Sequence, residues 1–309
     1  MSQYAIEVNN LSKRFGKFTA VDHISFTVDK GEIFGFLGSN GAGKSTTIRM
    51  LCALLNSTSV TAEVAGFDID RQPEQVKRQI GYMSQKFSLY QDLTVEENMT
   101  FFGGVYGLSN ARLKERMNWV LKMAGLKGKE HRLTADFPVG WKQRLALGCA
   151  VLHQPKIVFL DEPTGGVDPA SRRNFWELIH SLSQQGVTVF VTTHYLDEAE
   201  YCSSIMLIHA GKLIAGGSPD ELKKKYIPNP MLEVECNRVF EALEIFSDTD
   251  WVREISLFGT YLHISVIDKP SAVSHIQKTL SSRGIKLYRI DEIIPSLEDV
   301  FLHLVDDNP

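Results

Sequence analysis

Residues Gly38-Ser39-Asn40-Gly41-Ala42-Gly43-Lys44-Ser45 follow the pattern G-x-x-x-x-G-K-[ST] and sit between two informative neighbours. Before them runs Ile33-Phe34-Gly35-Phe36-Leu37, short and apolar. After them Ile48, Leu51, Cys52 and Leu55 recur at helical spacing. Strand, glycine-rich turn and helix in that order make a cradle for phosphate. Glycines at 38, 41 and 43 let main-chain N–H groups turn inward, because no Cβ blocks unusual φ values. The helix starting near Lys44 adds the positive end of its dipole. Lys44 is then placed to reach the β- and γ-phosphates of a nucleotide, and Ser45 to ligate Mg²⁺.

Such a cradle needs a sheet around it. Ile80–Met83, Ile157–Leu160 and Val187–Val191 are apolar runs of the length expected for strands buried on both faces. Helical patterns lie among them: Leu113, Met117, Val120, Leu121 and Ala124, then Phe175, Leu178, Ile179 and Leu182. The expected class is α/β, a phosphate-loop nucleotidase core with a mostly parallel sheet covered on both sides. Ahead of it Ile6 and Val8, then Ile24, Phe26 and Val28, alternate as half-buried strands do, giving an N-terminal antiparallel β subdomain. From about 92 to 150 no strand pattern is visible, which predicts a helical subdomain. Past Lys225-Tyr226-Ile227-Pro228-Asn229-Pro230, whose two prolines suit a linker, the pattern becomes strand, helix, strand, strand, helix, strand. An amphipathic segment, Leu297 to Leu304, follows. The predicted domains are 1–225, with its helical part at about 92–150, and a small α+β domain at 231–309.

The charge balance is 33 Lys+Arg against 37 Asp+Glu, a net charge of -4, which offers no footprint for nucleic acid. Lys223-Lys224-Lys225 is the one dense basic cluster, fitting either solvated charge at a helix C-terminus or a membrane-surface contact. Cys52, Cys149, Cys202 and Cys236 are widely spaced, as expected of reduced, buried thiols rather than zinc ligands. No apolar run reaches the roughly 18 residues of a membrane span. The first residues pass directly into the strand pattern Ala5-Ile6-Glu7-Val8, with no signal segment. A cytoplasmic location is expected, with any membrane contact made through a partner.

Two further strand ends carry candidate chemistry. Ile157–Leu160 places Asp161 at a buried strand's carboxyl end, where ligands gather in such sheets. Asp161 suits Mg²⁺, and Glu162, one residue on, suits polarising an attacking water. An Asp-Glu pair after a strand is also a common surface turn; the phosphate loop tips the balance. Val187–Val191 leads to Thr192-Thr193-His194, where a histidine is either structural or in reach of a γ-phosphate.

With these residues in place the chain resembles the ATPase subunits of ABC transporters over about residues 5 to 220: Gly38–Thr46, Gln85 after Ile80–Ser84, Asp161-Glu162-Pro163-Thr164, Asp168 and His194 stand in the family's order. The resemblance implies ATP and Mg²⁺ as ligands. It makes Gln85 a residue reaching Mg²⁺ and the attacking water, Asp168 an aspartate crossing a dimer interface, and Phe15 an adenine stack, though Phe15 also fits a core position. One motif departs. Where the family has Leu-Ser-Gly-Gly-Gln, this chain has Phe137-Pro138-Val139-Gly140-Trp141 before Lys142-Gln143-Arg144. Pro138 brings neither hydroxyl nor N–H to a partner's nucleotide, though it suits a helix's first turn. Gly140 keeps the motif's main-chain donor. A branch of export-type subunits is similar at this point and in the tail around Pro295–Phe301. The resemblance therefore implies a second ATPase subunit, as homodimer or related heterodimer, and membrane permease subunits. These would hold the chain peripherally on the cytoplasmic face of the cell (inner) membrane, with roughly Lys86 to Glu97 receiving them. Two alternatives are an ATP-binding partner with little hydrolysis and a non-transport ATPase of the same type.

Overall fold

The computed structural model describes residues 3–58, 62–85 and 89–306; Lys86, Phe87 and Ser88 of the expected permease-facing segment lie outside the described residues. By internal contacts the chain divides into Met1–Gly217 and Ser218–Pro309.

In the first unit, β1 (Tyr4–Phe15) and β2 (Phe18–Asp29) form an antiparallel hairpin. Then come β3 (Ile33–Leu37), α1 (Lys44–Leu51), β4 (Ala62–Val64), β5 (Phe67–Asp68), α2 (Pro73–Gln79) and β6 (Ile80–Met83). Helices α3 (Val95–Val105), α4 (Asn110–Met123) and α5 (Val139–Ala150) fill the stretch without strand patterning. The unit ends with β7 (Ile157–Asp161), α6 (Pro169–Gln184), β8 (Thr188–Thr193), β9 (Ser204–His209) and β10 (Lys212–Gly217). One sheet runs β2-β1-β4-β5, antiparallel; the other runs β10-β9-β3-β8-β7-β6, parallel except for its β10 edge.

The local causes are plain. β3, β7 and β8 are buried at every residue, which is why they read as unbroken apolar runs rather than alternations. Phe26, Phe34, Phe36, Phe159 and Phe190 pack between the two sheets, with the Phe34 and Phe190 ring centres 5.2 Å apart. Each fully buried ring contributes about 1.5–3 kcal/mol. Thr94 and Glu97 close a capping box that starts α3. The register Phe36–Thr192, Leu37–Thr193 and Asp161–Thr192 brings the carboxyl ends of β3, β7 and β8 to one edge. The loops carrying chemistry leave from that edge.

The second unit comprises α7 (Pro219–Tyr226), β11 (Met231–Cys236), α8 (Val239–Ser247), β12 (Val252–Phe258), β13 (Tyr261–Val266), α9 (Lys269–Ser282), β14 (Leu287–Ile293) and α10 (Leu297–Asp306). Its sheet, β12-β13-β11-β14, is wholly antiparallel. From β11 to β14 the order is β-α-β-β-α-β, the split arrangement of ferredoxin-like folds. Leu232, Val234, Leu262 and Ile264 pack with Phe246 and Ile276 of α8 and α9. Helix α7, which the sequence pattern assigns to the first domain, packs on α10 of the second unit. The three lysines 223–225 form its last turn.

Candidate functional site

The phosphate loop closes on itself. Gly43 caps α1 at φ +108, and a Cβ there would stand 2.5 Å from the Ala20 carbonyl oxygen. Only glycine fits both the left-handed backbone and the gap. At Gly38 a Cβ would come within 2.1 Å of the Ile208 carbonyl oxygen, so the loop lies directly on β9. Ala42 is buried, and its N–H donates to the Ser39 oxygen at 3.2 Å. Lys44, only 4% exposed, folds back: its Nζ donates to the carbonyl oxygens of Gly38 (2.9 Å) and Ser39 (3.2 Å) and lies 3.2 Å from Glu162 Oε1.

Glu162 is where three strand-end loops converge. It adopts φ +49, an uncommon conformation for a residue with a Cβ. Its N–H donates to the Thr192 main-chain oxygen at 3.0 Å and to Thr192 Oγ1 at 3.1 Å, which ties the strained turn to β8. Gln85 Nε2 donates to Glu162 Oε2 at 2.8 Å. His194 Nδ1 stands 3.3 Å from the same oxygen, without the alignment of a hydrogen bond. Beneath, Ser45 Oγ and Thr192 Oγ1 both donate to Asp161 Oδ1, at 3.1 and 2.8 Å. Burial, and to a lesser degree the neighbouring Glu162 charge, lifts the Asp161 pKa despite those hydroxyls and Lys44. A hydroxyl and a carboxylate oxygen side by side match the oxygen donors Mg²⁺ prefers. Among the described residues no group of three or more His, Cys, Asp or Glu is arranged to hold a metal. Any Mg²⁺ here would therefore rest on few protein ligands plus phosphate and water, as that ion usually does.

The cavity over the loop has about 420 Å³. Asn40, Gly41, Gly43, Lys44, Ser45, Thr46, Gln85 and Glu162 line it, with Phe15, Phe18 and Ala20 from the first hairpin. Phe15 is 50% exposed, which rules out the core position the sequence left open for it. Phe18, more exposed still, was not singled out in the sequence; the aromatic pair flanking the Gly16-Lys17 turn was the available signal. Thr192 was also missed. Its hydroxyl serves both Asp161 and Glu162, but in the sequence it reads as the end of a buried strand.

Gly38, Ser39, Ala42, Asp161 and His194 stand next to lining residues without lining the cavity themselves, and Asp168 and Gly140 belong to neither group. Asp168 Oδ1 accepts from the Ser171 N–H at 2.9 Å and caps α6. Gly140 lies in α5, where a Cβ would meet the Ser171 side chain at 2.8 Å, so its smallness lets α5 approach α6. The proline expected in a first helical turn sits one step earlier. Pro138 is the cap residue of α5, with ψ 157, and Val139 opens the helix. An extended ψ places proline just outside the helix. Without a side-chain oxygen it leaves the α5 N-terminus uncapped. All four cysteines are free and buried, and among the described residues no helix is long and apolar enough to cross a membrane.

Residues 21–165 match the family model described as ABC transporter, and residues 217–305 match that of the ATP-binding protein DrrA1-3-like, C-terminal domain. Over 232 residues the chain is 52% identical to the probable multidrug ABC transporter ATP-binding protein YbhF of Escherichia coli (strain K12). That match covers 74% of this chain but only 40% of the relative, so less than half of that protein is matched. The linearmycin resistance ATP-binding protein LnrL of Bacillus subtilis (strain 168) is 34% identical over 303 residues, covering 97% of each chain. A solved ATP-binding subunit of an ABC transporter superposes with a TM-score of 0.65 at 31% identity, covering 72% of this chain and 93% of that one.

Proposed function

The chain belongs to the ABC transporter ATP-binding family, and from that premise we propose that it hydrolyses ATP, paired with a second ATPase subunit, to power export through separate membrane permease subunits. The observation that carries this is the convergence of Lys44, Gln85 and His194 on Glu162, at 3.2, 2.8 and 3.3 Å, at the rim of a cavity floored by the phosphate loop. The relatives' names, multidrug transport and linearmycin resistance, support export-type work.

In this reading Lys44 exchanges Glu162 for the β- and γ-phosphate oxygens of ATP. The released Glu162 carboxylate takes a proton from water while the water oxygen attacks the γ-phosphorus. The bond to the bridging oxygen breaks, leaving ADP and phosphate. Gln85 orients the water, and His194 steadies charge on the transferring group. Phe15 and Phe18 offer ring faces to the base, Phe15 by stacking. Mg²⁺, held by Ser45 and Asp161, would neutralise charge on the phosphate oxygens. Asp168 and the α5 N-terminus, with Gly140, face the partner subunit's nucleotide. The two domains, 1–225 and 231–309, divide this work: the first hydrolyses, the second regulates or holds the dimer.

The uncapped α5 N-terminus supports a second reading, a heterodimer. There this chain's Lys44, Glu162 and His194 act under the partner's own signature segment, while Pro138 serves the weaker site.

Phosphate release and ATP titration on the purified full chain test the proposal. Lys44→Ala is expected to weaken ATP binding roughly 10- to 100-fold, the worth of hydrogen bonds to a charged group. Unchanged binding would remove the phosphate loop from the account.

A further inference from the structure

We propose that Arg172 and Glu198 are a positioning pair that fixes His194 to the helix carrying Asp168; the inference rests on the reading of Glu162 and His194 as the hydrolytic groups. Glu198 lies four residues past His194, in the 3-10 turn Leu196–Tyr201, and has no exposed surface. A carboxylate buried that deeply costs several kcal/mol unless it is compensated. Its compensating charge is the Arg172 guanidinium, whose Nε lies 3.3 Å from Glu198 Oε1.

The pair is not a saturated structural bridge. Arg172 Nε and Glu198 Oε1 face each other without the alignment of a hydrogen bond, and the remaining polar neighbours of Glu198 are the Thr164 and Thr193 hydroxyls. Burial lifts the Glu198 pKa, while the facing Thr164 and Thr193 hydroxyls and Arg172 pull it back. Buried polar groups left this way call for a reason other than stability.

Their placement supplies one. Arg172 stands in the first turn of α6, and its main-chain N–H donates to the Asp168 oxygen at 2.9 Å. Its guanidinium covers the Tyr195 ring at 4.5 Å and reaches Asp197 at 3.4 Å. The Tyr195 ring rests 4.1 Å from the His194 ring. One side chain from the Asp168 turn thus grips Tyr195, Asp197 and Glu198, the segment that determines where His194 points, and it lines no part of the nucleotide cavity. A shift at the Asp168 end of α6 therefore moves His194 relative to Glu162.

The test uses the purified full chain with single variants Arg172→Met and Glu198→Gln, the conservative Arg172→Lys, and the double variant. Removing both charges avoids a stranded buried ion, so the double variant keeps a folded protein in hand. Each single variant should lower kcat roughly tenfold, within the hundredfold a 1 Å misplacement can cost, and leave the ATP Kd within about twofold. The double variant should lose no more than the worse single one, as coupled residues do. Arg172→Lys should recover part of kcat. Losses that multiply in the double variant, an unchanged kcat in folded single variants, or a Kd that rises in step with the kcat loss would each overturn the pair. A wild-type chain that binds ATP but shows no turnover would instead overturn the hydrolytic reading beneath it.

Discussion

Glu162 and Asp299 are both largely buried carboxylates with a histidine Nδ1 close by, His194 at 3.3 Å and His263 at 2.9 Å. Their surroundings differ. Asp299 is saturated: its Oδ2 accepts from the Ser296 N–H and Ser296 Oγ, both at 2.7 Å, and its Oδ1 meets His263. Ser296 Oγ accepts in turn from the Asp299 N–H, closing the start of α10. The His263 ring stacks on Phe258 with centres 4.0 Å apart, and its Nε2 lies 3.4 Å from Glu233. Glu162 instead sits on a left-handed backbone at an open cavity, held by Lys44 and Gln85, which in the proposed mechanism pass to the nucleotide. A satisfied acid–histidine pair fastens a helix to a sheet. A strained one with exchangeable partners is poised for chemistry.

That contrast can be broken experimentally. Apart from Glu162 itself, the largest effect is expected at His194: His194→Ala should lower turnover by roughly 10²- to 10³-fold, the cost of losing one stabiliser of transition-state charge, with ATP binding retained. A loss below fivefold would make His194 a structural neighbour like His263. Next in size, Asp299→Asn should destabilise the second unit by about 2 kcal/mol, because it strands His263 and weakens the α10 start. Turnover should stay unchanged. Chemical denaturation and phosphate release on one preparation decide the point.

The smallest effect is a pH drift confined to the second unit. Burial pulls the His263 pKa down, but its hydrogen bonds to Asp299 and Glu233 and their charges outweigh this, raising it above 6.5. Its stabilisation is fully present below 6.5 and is lost as pH rises through the raised value. For Asp299 burial acts upward, yet His263 and Ser296 prevail and hold its pKa below 3.8. That contribution is present above 3.8 and is lost as pH falls through the lowered value. Calorimetry should show the second unit's transition highest between these limits and declining toward alkaline pH. His263→Gln should flatten the decline.

Much of the molecule was legible because its signals are local. Gly38 to Ser45 needs glycine for reasons of backbone, and β7 and β8 read as strands because both their faces are buried. The strand and helix order of the second unit was equally plain, since β11 and β13 send alternate residues to one core. Legibility failed where a contact joins distant residues. Nothing near Thr192 announces that it serves both Asp161 and Glu162, 30 positions and more away. Nor does the sequence show that Asp299 meets His263 across 36 positions. Pro138 was visible, but its place outside the helix rather than in its first turn depends on one ψ angle. Nor is the packing of α7 on α10 legible, since α10 lies far along the chain.

The central claim is that Glu162 leaves Lys44 when ATP arrives and then takes the proton from the attacking water. Single-turnover hydrolysis by the full chain, wild type beside Glu162→Gln, measures this with ATP binding followed in the same samples. The account predicts that the glutamine variant binds ATP at least as tightly, since Lys44 no longer faces a competing carboxylate, and hydrolyses it roughly 10²- to 10⁴-fold more slowly. Equal single-turnover rates for the two proteins, with ATP bound by both, would contradict it.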